Sequence, residues 1–362
     1  MILSALDTML FPANYAVGRK NVLEKLAGLP EPVQYFPYQC AGIGPEDEAL
    51  ITDTAWIGSL SASKVVVLIS GTHGIEGFAG TAITLDCLGL LSSRLQALPA
   101  DTAVLMVHAL TPWGYAWQRR CDADGVDLNR NYVDFSKPLP ENPGYELLKP
   151  AFYEFDVQQR QQAFADFEQQ HGRDAFEIAI SGGQYQDPDG PFYGGLAPAH
   201  GQLVCLDLIQ RYALSECDLA VIDLHTGLGP YGYGEVICDH TPESSGSAVA
   251  SRWYGASVTL PLLGTSSSVP KTGLLDYVWH EVMNARSCYI TLEFGTFRTH
   301  ELFEILLEDH LLWRRADENK AACLAHSKVM RQHFCPNEQA WREMVLFRGR
   351  QVITQALSGI SS

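Results

Sequence analysis

The sequence is poor in positive charge. Its 362 residues contain 25 Lys and Arg against 42 Asp and Glu, which gives a formal net charge of -17 at pH 7. A surface with that excess of negative charge repels nucleic-acid phosphates and anionic membrane surfaces. We therefore predict that the protein binds neither nucleic acid nor membranes, although a local cationic pocket is compatible with this charge.

Paired cysteines and long apolar runs are also missing. The nine cysteines contain no C-x-x-C pair and lie in apolar surroundings, which is typical of reduced, buried thiols in a cytosol. The first 17 residues lack a basic segment and contain Asp7, so they indicate neither a signal peptide nor a membrane anchor. No apolar run approaches the roughly 20 residues that span a bilayer. These features predict a cytoplasmic protein.

Several widespread catalytic signatures are absent as well. The chain has neither the G-x-S-x-G elbow of serine hydrolases nor the G-x-x-x-x-G-K-[ST] loop of phosphate-binding proteins. Residues 227–234, GLGPYGYG, match G-x-G-x-x-G, but Pro230 and a strand-like stretch follow where a dinucleotide fold needs a helix. The sequence therefore does not predict a nucleotide-binding function.

What is present is an alternation of strand-like and helix-like segments in a chain that is 46% hydrophobic and 19% charged. This alternation predicts an α/β fold, a single domain over residues 1–362 with a mixed, mostly parallel central β-sheet flanked by helices. Residues 144–180 indicate one or two helices within an insertion at about 133–200, and the last 60 residues are predicted to be helical. The predicted strands are 33–39, 51–58, 63–70, 102–110, 217–225, 234–240, 256–264 and 287–295.

The first candidate functional stretch is GTHGIEGFAG, residues 71–80, directly after a buried strand. Ligand sites of open α/β sheets form at the carboxyl ends of strands, where His73 and Glu76 are expected. A histidine and a carboxylate in a tight turn can reach one divalent ion, and glycines let the backbone approach closely. The alternative is a strand-to-helix turn with a partly buried histidine.

A second stretch, WQRRCDADGVDLNRNY at residues 117–132, concentrates Arg and Asn side chains in an otherwise acidic chain. Planar guanidinium groups suit a carboxylate or an oxyanion, and an Asn amide adds a neutral donor. The alternative is a solvated loop whose aspartates neutralise the arginines. Both interpretations remain open from spacing alone.

Two later strands each place a polar group at or inside an apolar run. His225 ends the run AVIDLH, where a third metal ligand could come from far along the chain. Glu293 lies within YITLEFG, where a carboxylate needs either a buried partner or a role as a general base. Two histidines and one carboxylate form a three-ligand zinc site with an open position for water, so we expect one divalent ion, zinc.

In this order, GTHGIEG, RRCDADGVDLNRN, DLHTG and YITLEFG resemble the motifs of the zinc carboxypeptidase family over roughly residues 63–297. The resemblance implies a carboxypeptidase-like (phosphorylase/hydrolase-like) fold and hydrolysis of a peptide or amide bond next to a free carboxylate. It implies these roles: His73, Glu76 and His225 bind zinc, Asn129 and Arg130 hold the substrate carboxylate, Arg120 polarises the scissile carbonyl, Glu293 is the general base, and Asp127 supports the first histidine from outside the ligand set.

The sequence departs from that family in two places. The tyrosine that covers the bound substrate has no clear counterpart, since SSSVPKTGLLDYV offers a serine there and Tyr277 lies further on. The insertion with GGQYQDPDGPFYGG is expected to cap the cleft and to favour small peptides or acylated amino acids as substrates. Leu274 and Leu275 suggest an apolar side-chain pocket.

Two alternative functions stay open. One is an N-acyl amino acid deacylase of the aspartoacylase and succinylglutamate desuccinylase type, which the H-G-x-E, D-L-N-R and D-L-H elements also resemble. The helical C-terminus and the NRN triplet favour the carboxypeptidase interpretation. The other is a non-catalytic metal-binding protein of the same fold. The sequence does not indicate an oligomeric state.

Overall fold

The computed structural model describes residues 5–362, except for the side chains of residues 317 and 318; the first four residues of the N-terminal stretch lie outside it. In this part of the chain eight strands form one sheet. The strands are β1 (Val33–Ile43), β2 (Ala49–Ile57), β3 (Lys64–Ser70), β4 (Thr102–His108), β5 (Asp218–Gly227), β6 (Gly234–Ile237), β7 (Val258–Thr259) and β8 (Cys288–Gly295).

Twelve α-helices surround the sheet in the described residues. They are α1 (Tyr15–Ala27), α2 (Gly77–Ser92), α3 (Pro112–Ala116), α4 (Pro143–Phe152), α5 (Val157–His171), α6 (Arg173–Ser181), α7 (His200–Arg211), α8 (Ser245–Tyr254), α9 (Asp276–His280), α10 (Thr299–Trp313), α11 (Ala316–Phe334) and α12 (Gln339–Ile360). The chain after β8 is therefore helical, as predicted.

The sheet has the order β1-β2-β4-β3-β5-β8-β6-β7. Its centre, β4-β3-β5-β8, is parallel throughout. Strands β1 and β2 pair antiparallel at one edge, and β6 runs antiparallel to β8 near the other. The prediction of a mixed, mostly parallel sheet flanked by helices is confirmed. Because these strands are parallel, the carboxyl ends of β3, β5 and β8 lie side by side at the same end of the sheet.

The core lies on both faces of the sheet, because successive side chains of a strand point to opposite faces. Along β3, Val66 and Leu68 pack into a cluster that includes apolar residues of α2, α8 and α12. Val65, Val67 and Ile69 pack into a second cluster with residues of α7 and α9. Burial on both faces explains why β3 is a continuous apolar run.

Helix α2 differs from the expectation that no apolar run approaches membrane-spanning length. The stretch Gly74–Ser92 is long and apolar enough to cross a membrane by length and composition, with a mean hydropathy of 1.3. It is 94% buried inside the protein, which is the position of a core helix. Its apolar character is therefore accounted for by packing against the sheet.

Two predicted segments were wrong in detail. Most of residues 256–264 is not a strand, because Pro261 cannot donate a hydrogen bond to a sheet ladder and starts a short 3-10 helix. Residues 144–180 form three helices instead of one or two. Gly172, with a φ of 87°, separates α5 from α6, a backbone conformation that glycine adopts readily. That the chain is one domain with an insertion at 133–200 stays a prediction.

Candidate metal centre and active site

The predicted site residues converge at the carboxyl ends of the central strands. His73 follows β3, and His225 and Glu293 each lie two residues before the last residue of their strands, β5 and β8. The register of the parallel strands sets the positions of these residues along the strand direction. Ser70 of β3 lies opposite Leu224 of β5, and His225 of β5 lies opposite Glu293 of β8. This edge is where ligand sites form in open α/β sheets.

The side chains of His73, Glu76 and His225 form the one cluster of metal-binding type among the described residues. One donor atom from each lies within 4.8 Å of the other two. The Glu76 carboxylate is 2.8 Å from Nδ1 of His73 and 3.2 Å from Nδ1 of His225. All three residues are buried. Two imidazoles and a carboxylate that face one another in this way match the donor set of catalytic zinc sites.

Two further carboxylates contact the second ring nitrogen, Nε2, of the two histidines. Nε2 of His73 is 3.1 Å from Oδ1 of Asp127, the residue expected to support it. Nε2 of His225 contacts Oδ2 of Asp223, which also accepts a hydrogen bond from the Tyr289 hydroxyl. A carboxylate that is hydrogen-bonded to one ring nitrogen orients the ring and leaves the other nitrogen free to bind a metal ion.

Asp223 was missed from the sequence. Asp223 and His225 are two residues apart in β5, so the alternation of a strand puts their side chains on the same face. That spacing, D-x-H in a buried strand, is the signal that could have identified the pair.

The electrostatics of the three donors favour a cation between them. Burial alone would raise the pKa of Glu76, but the charges and hydrogen bonds of His73 and His225 outweigh it and lower the pKa. Burial alone would lower the pKa of His225, whereas Asp223 and Glu76 raise it well above its usual value. The excess of carboxylates therefore stabilises positive charge at this place, whether carried by protons or by a metal ion.

The turn GTHGIEG is built by close packing against the arginine loop. After His73 the chain forms a 3-10 helix, Gly74–Glu76, that leads into α2. A Cβ on Gly74 would lie 2.1 Å from the backbone of Gly114, so only glycine fits. The backbone N–H of Gly74 donates to the carbonyl of Arg120 at 3.0 Å. The two stretches that the sequence analysis treated separately are therefore directly hydrogen-bonded.

Arg120 lies beside the metal-binding cluster. Its Nε donates to Asp127 at 2.9 Å and its Nη1 to Glu76 at 3.3 Å. None of its hydrogen bonds to described residues uses Nη2. The guanidinium lies 5.1 Å from the ring centre of Phe192, which comes from the insertion. Arg120 is thus held rigidly and has one donor group left for a ligand in the cavity.

Asn129 and Arg130 lie further along the same wall. Oδ1 of Asn129 accepts the backbone N–H of Leu275 at 2.8 Å. Arg130 is 1% exposed and donates only to backbone carbonyls among the described residues, at 2.9 and 2.8 Å to Ser181 and at 2.5 Å to Asn129. No carboxylate of the described chain lies within ion-pair distance of it. A buried guanidinium without a counter-ion favours an anionic ligand.

Glu293 faces the same cavity from β8. Its Oε1 accepts the backbone N–H of Leu228 at 3.0 Å. Burial, and next the negative charge of Glu76, raise the pKa of Glu293 to about 7. The carboxylate has no arginine or lysine within ion-pair distance in the described chain. A carboxyl group with a raised pKa can exchange a proton near neutral pH.

Two segments cover the cavity. Glu177, Ser181 and Phe192 of the insertion line it from one side. Ser267, Ser268 and Lys271 also line it, on the loop where the family's tyrosine is expected. Glu235 holds this loop by accepting the hydroxyl of Ser267 and its backbone N–H, the latter at 3.1 Å.

Tyr277 does not line the cavity. It is 40% exposed, and its hydroxyl donates to the carbonyl of Lys271 at 3.0 Å. Leu274 and Leu275, both predicted to form an apolar side-chain pocket, differ in position. Leu274 lines the cavity, whereas Leu275 packs into the core.

Comparison with solved structures places the fold. Carboxypeptidase A from Helicoverpa armigera matches with a TM-score of 0.51 and 13% sequence identity, over 96% of this chain and 73% of that chain. Succinylglutamate desuccinylase from Chromobacterium violaceum gives 0.39 and 12%, over 88% and 74% of the two chains. Murein-tripeptide amidase from Escherichia coli O157 gives 0.37 and 16%, over 85% and 95%. The match to carboxypeptidase A, the one of these three with a TM-score above 0.5, shows that the chain has a carboxypeptidase A-like fold and confirms the resemblance at that level.

The sequence itself matches the family model described as "Protein of unknown function (DUF2817)" over residues 11–348. The chain belongs to that family. The search for sequence relatives among curated proteins found no match.

Proposed function

We propose that this protein is a zinc-dependent hydrolase that cleaves a peptide or amide bond next to a free carboxylate. One observation carries the proposal: the His73, Glu76 and His225 donors converge in a cavity that also contains Glu293 and the unpaired cation of Arg130. The carboxypeptidase A-like fold is consistent with it.

His73, Glu76 and His225 would hold the metal ion. Zinc bound by three protein ligands lowers the pKa of a water in the fourth position and polarises a carbonyl group. Asp127 and Asp223 fix the two imidazole rings and keep their Nδ1 atoms directed toward Glu76. Arg120 forms ion pairs with Glu76 and Asp127 and so holds these two carboxylates in place.

Glu293 acts as the general base and then as the general acid. It accepts a proton from the attacking water and returns it to the leaving amine, so that the products are a carboxylate and a free amino group. The Leu228 N–H fixes one of its oxygens, which leaves the other for the proton.

Arg120, Asn129 and Arg130 bind the substrate. The free Nη2 of Arg120 donates to the oxyanion that develops on the scissile carbonyl. Arg130 and the Asn129 amide hold the substrate carboxylate and so set the distance from that carboxylate to the bond that is cut. The insertion residues over the cavity limit the substrate to a small peptide or an acylated amino acid.

The test uses zinc-loaded protein and N-acylated dipeptides, each with a free C-terminal carboxylate or as the C-terminal amide, together with N-acyl amino acids. We expect hydrolysis of the free acids and loss of hydrolysis in Glu293→Gln, with the zinc content unchanged. Exposed Glu301→Gln serves as the matched control. Arg130→Met should reduce kcat/KM for the free acids by about tenfold to 100-fold, because a charge-assisted hydrogen bond is lost, and leave the amides unaffected.

Undiminished hydrolysis in Glu293→Gln would rule out the proposed base. Hydrolysis of N-acyl amino acids but not of dipeptides would identify a deacylase. Tight zinc binding without hydrolysis of any substrate would identify the non-catalytic metal-binding protein.

A further inference from the structure

Ser268 and Lys271 form a hydrogen-bonded pair in the cavity that the proposed reaction does not use. The amino group of Lys271 donates to the Ser268 hydroxyl and, at 2.8 Å, to the Val269 carbonyl. Both residues line the cavity and are half-buried. Their spacing, S-x-x-K, is one at which a lysine lies beside a nucleophilic serine in acyl-transfer enzymes. The two side chains therefore meet as a nucleophile and a base do, where a substrate can reach them.

Lys271 has no carboxylate within ion-pair distance among the described residues. Burial, and next the charge of Arg130, lower the pKa of Lys271 to about 7. At neutral pH a fraction of the molecules therefore carries a neutral amine, which can accept the proton of a serine hydroxyl. The charged groups that act on this amine are Arg130, Arg120, Asp239 and Glu293.

Hydrogen bonds on both sides fix the loop that carries the pair. Glu235 of β6 accepts the Ser266 hydroxyl at 2.9 Å, and the same hydroxyl oxygen accepts the backbone N–H of Ser268 at 3.0 Å. After the pair, the N–H and the hydroxyl of Thr272 both donate to the carbonyl of Gly182 in the insertion, each at 3.0 Å. A serine held in this way is already positioned before a substrate arrives, which lowers the entropic cost of attack.

A donor for the developing oxyanion lies directly after the serine. The backbone N–H of Val269, which lines the cavity, has no hydrogen-bond acceptor in the described part of the chain. In α/β-hydrolases the N–H of the residue after the nucleophile is one of the donors to the oxyanion. The loop thus offers a nucleophile, a base and an oxyanion donor within four consecutive residues.

The loop also packs against the cation that has no counter-ion. A Cβ on Gly273, two residues after Lys271, would lie 2.1 Å from the carbonyl oxygen of Arg130, so the two backbones are in close contact. The Arg130 guanidinium, which lines the same cavity, favours a substrate that carries a carboxylate.

We propose that Ser268, activated by Lys271, is the nucleophile of a second activity of this protein, the metal-independent hydrolysis of esters that carry a carboxylate. Neither side chain is hydrogen-bonded to the metal-binding cluster, so this activity does not rest on the proposed amide hydrolysis. Esters are the expected class because an alkoxide or phenoxide leaves from a tetrahedral intermediate more easily than an amine does.

The reaction has two balanced steps. Oγ of Ser268 bonds to the carbonyl carbon while its proton passes to Nζ of Lys271, and the ester C–O bond breaks as the leaving oxygen takes that proton. Water then attacks the acyl-serine. Lys271 accepts a proton from this water and returns one to Oγ, so that the products are an alcohol and a carboxylic acid.

The experiment uses the full chain as purified, with and without a zinc chelator, and two substrates, para-acetoxybenzoate and its methyl ester. We expect hydrolysis of the acetyl ester to persist in the chelator. The free acid should be preferred by about tenfold in kcat/KM, since hydrogen bonds to charged groups are the strong ones. The rate should rise with pH through the lowered pKa of Lys271, about 7, because the base must first lose its proton.

Variants of the pair separate base catalysis from charge. Ser268→Ala and Lys271→Met should each reduce kcat/KM by at least about 100-fold, the usual effect of a general base and its nucleophile. Lys271→Arg keeps the positive charge but cannot accept a proton, so it should be equally inactive. Ser136→Ala and Lys137→Met change an exposed serine and an exposed lysine and should retain the wild-type rate. Thermal unfolding verifies that each variant is folded.

Covalent labelling provides a measurement that does not depend on turnover. A fluorophosphonate should label Ser268 in the wild type, as mapped by mass spectrometry of peptides, and the labelling should be lost in Lys271→Met. An unlabelled Ser268, an unchanged rate in Ser268→Ala, or no hydrolysis of either ester would overturn the inference. Ester hydrolysis that the chelator abolishes would overturn it too and leave the proposed function intact. Absence of amide hydrolysis alone would contradict the proposed function and not this inference.

Discussion

His225 and Glu293 lie directly opposite each other on the parallel strands β5 and β8. His225 belongs to the cluster of metal-binding type and Glu293 is the proposed base, so the backbone hydrogen bonds of the sheet set the distance between the cluster and the proposed base. This placement keeps two groups from distant parts of the chain in register without a hydrogen bond or ion pair between their own side chains. The predictions below test that arrangement and its supports.

The first prediction concerns the metal. Protein purified without a metal-affinity tag should contain about one zinc per chain, as three-ligand sites do, and His73→Ala and His225→Ala should each lose it. Elemental analysis measures the content. His300→Ala, whose side chain is 61% exposed, is the control and should retain the metal. Zinc retained by both site variants would show that His73 and His225 do not bind the metal.

The second prediction concerns Asp223, which the sequence analysis did not identify. Asp223→Asn should weaken zinc binding by roughly 10-fold to 100-fold, the usual effect of removing a carboxylate behind a histidine ligand. Competition with a chelator measures the affinity. Asp218→Asn is the matched control on the same strand, since Asp218 pairs with the exposed Arg286. Equal affinities for both variants would show that Asp223 does not support the ligand.

The third prediction compares two glycines near and in α2. Gly74→Ala places a Cβ 2.2 Å from the backbone nitrogen of Tyr115, so the turn must shift at a cost of about 1–3 kcal/mol in the free energy of unfolding. It should lose zinc as well, because His73 moves with the turn. Gly89→Ala meets no atom within 4 Å and should stabilise the helix by up to about 1 kcal/mol.

Urea unfolding and metal analysis of both variants provide the measurement. A Gly74→Ala protein with wild-type stability and zinc content would show that the close packing of the turn is not required.

The fourth prediction concerns the pH dependence of stability. Burial, and next the charge of Arg130, lower the pKa of Lys271 to about 7, against about 10.4 in an unfolded chain. Between these values the unfolded chain binds more protons, so the stability contributed by this residue rises with pH; the cost is fully present below pH 7. Lys271→Met should therefore be more stable than the wild type at pH 6, by a margin that shrinks toward pH 9.

Thermal unfolding at several pH values measures that margin. Lys328→Met removes the same charge from an exposed position and corrects for the change in net charge. A margin that does not change with pH would contradict a lowered pKa of Lys271.

Much of the fold was predictable because its signals are local. The alternation of strand-like and helix-like segments indicated a mostly parallel sheet, and the polar residues that follow β3 and lie in β5 and β8 indicated a site at the carboxyl ends of its strands. Details failed where one residue overrides a pattern, as Pro261 does in the predicted strand 256–264 and Gly172 does within the insertion.

The cavity was less predictable because it depends on contacts between distant segments. The carbonyl of Ser181, in the insertion, holds the guanidinium of Arg130, and Glu235 holds the serine loop. Leu274 and Leu275 are identical residue types, yet one lines the cavity and the other packs into the core. Neither arrangement follows from composition or periodicity.

The amino-acid sequence by itself determined the strands, the helices and the residue types that meet at the sheet edge, because backbone geometry and apolar periodicity act over a few residues. Only the tertiary structure decided which charges remain without a partner. Arg130, which donates only to backbone carbonyls among the described residues, differs from Arg120, which pairs with Glu76 and Asp127, in what surrounds it and not in its own chemistry. Burial and the distance to a counter-ion are properties of the packed chain.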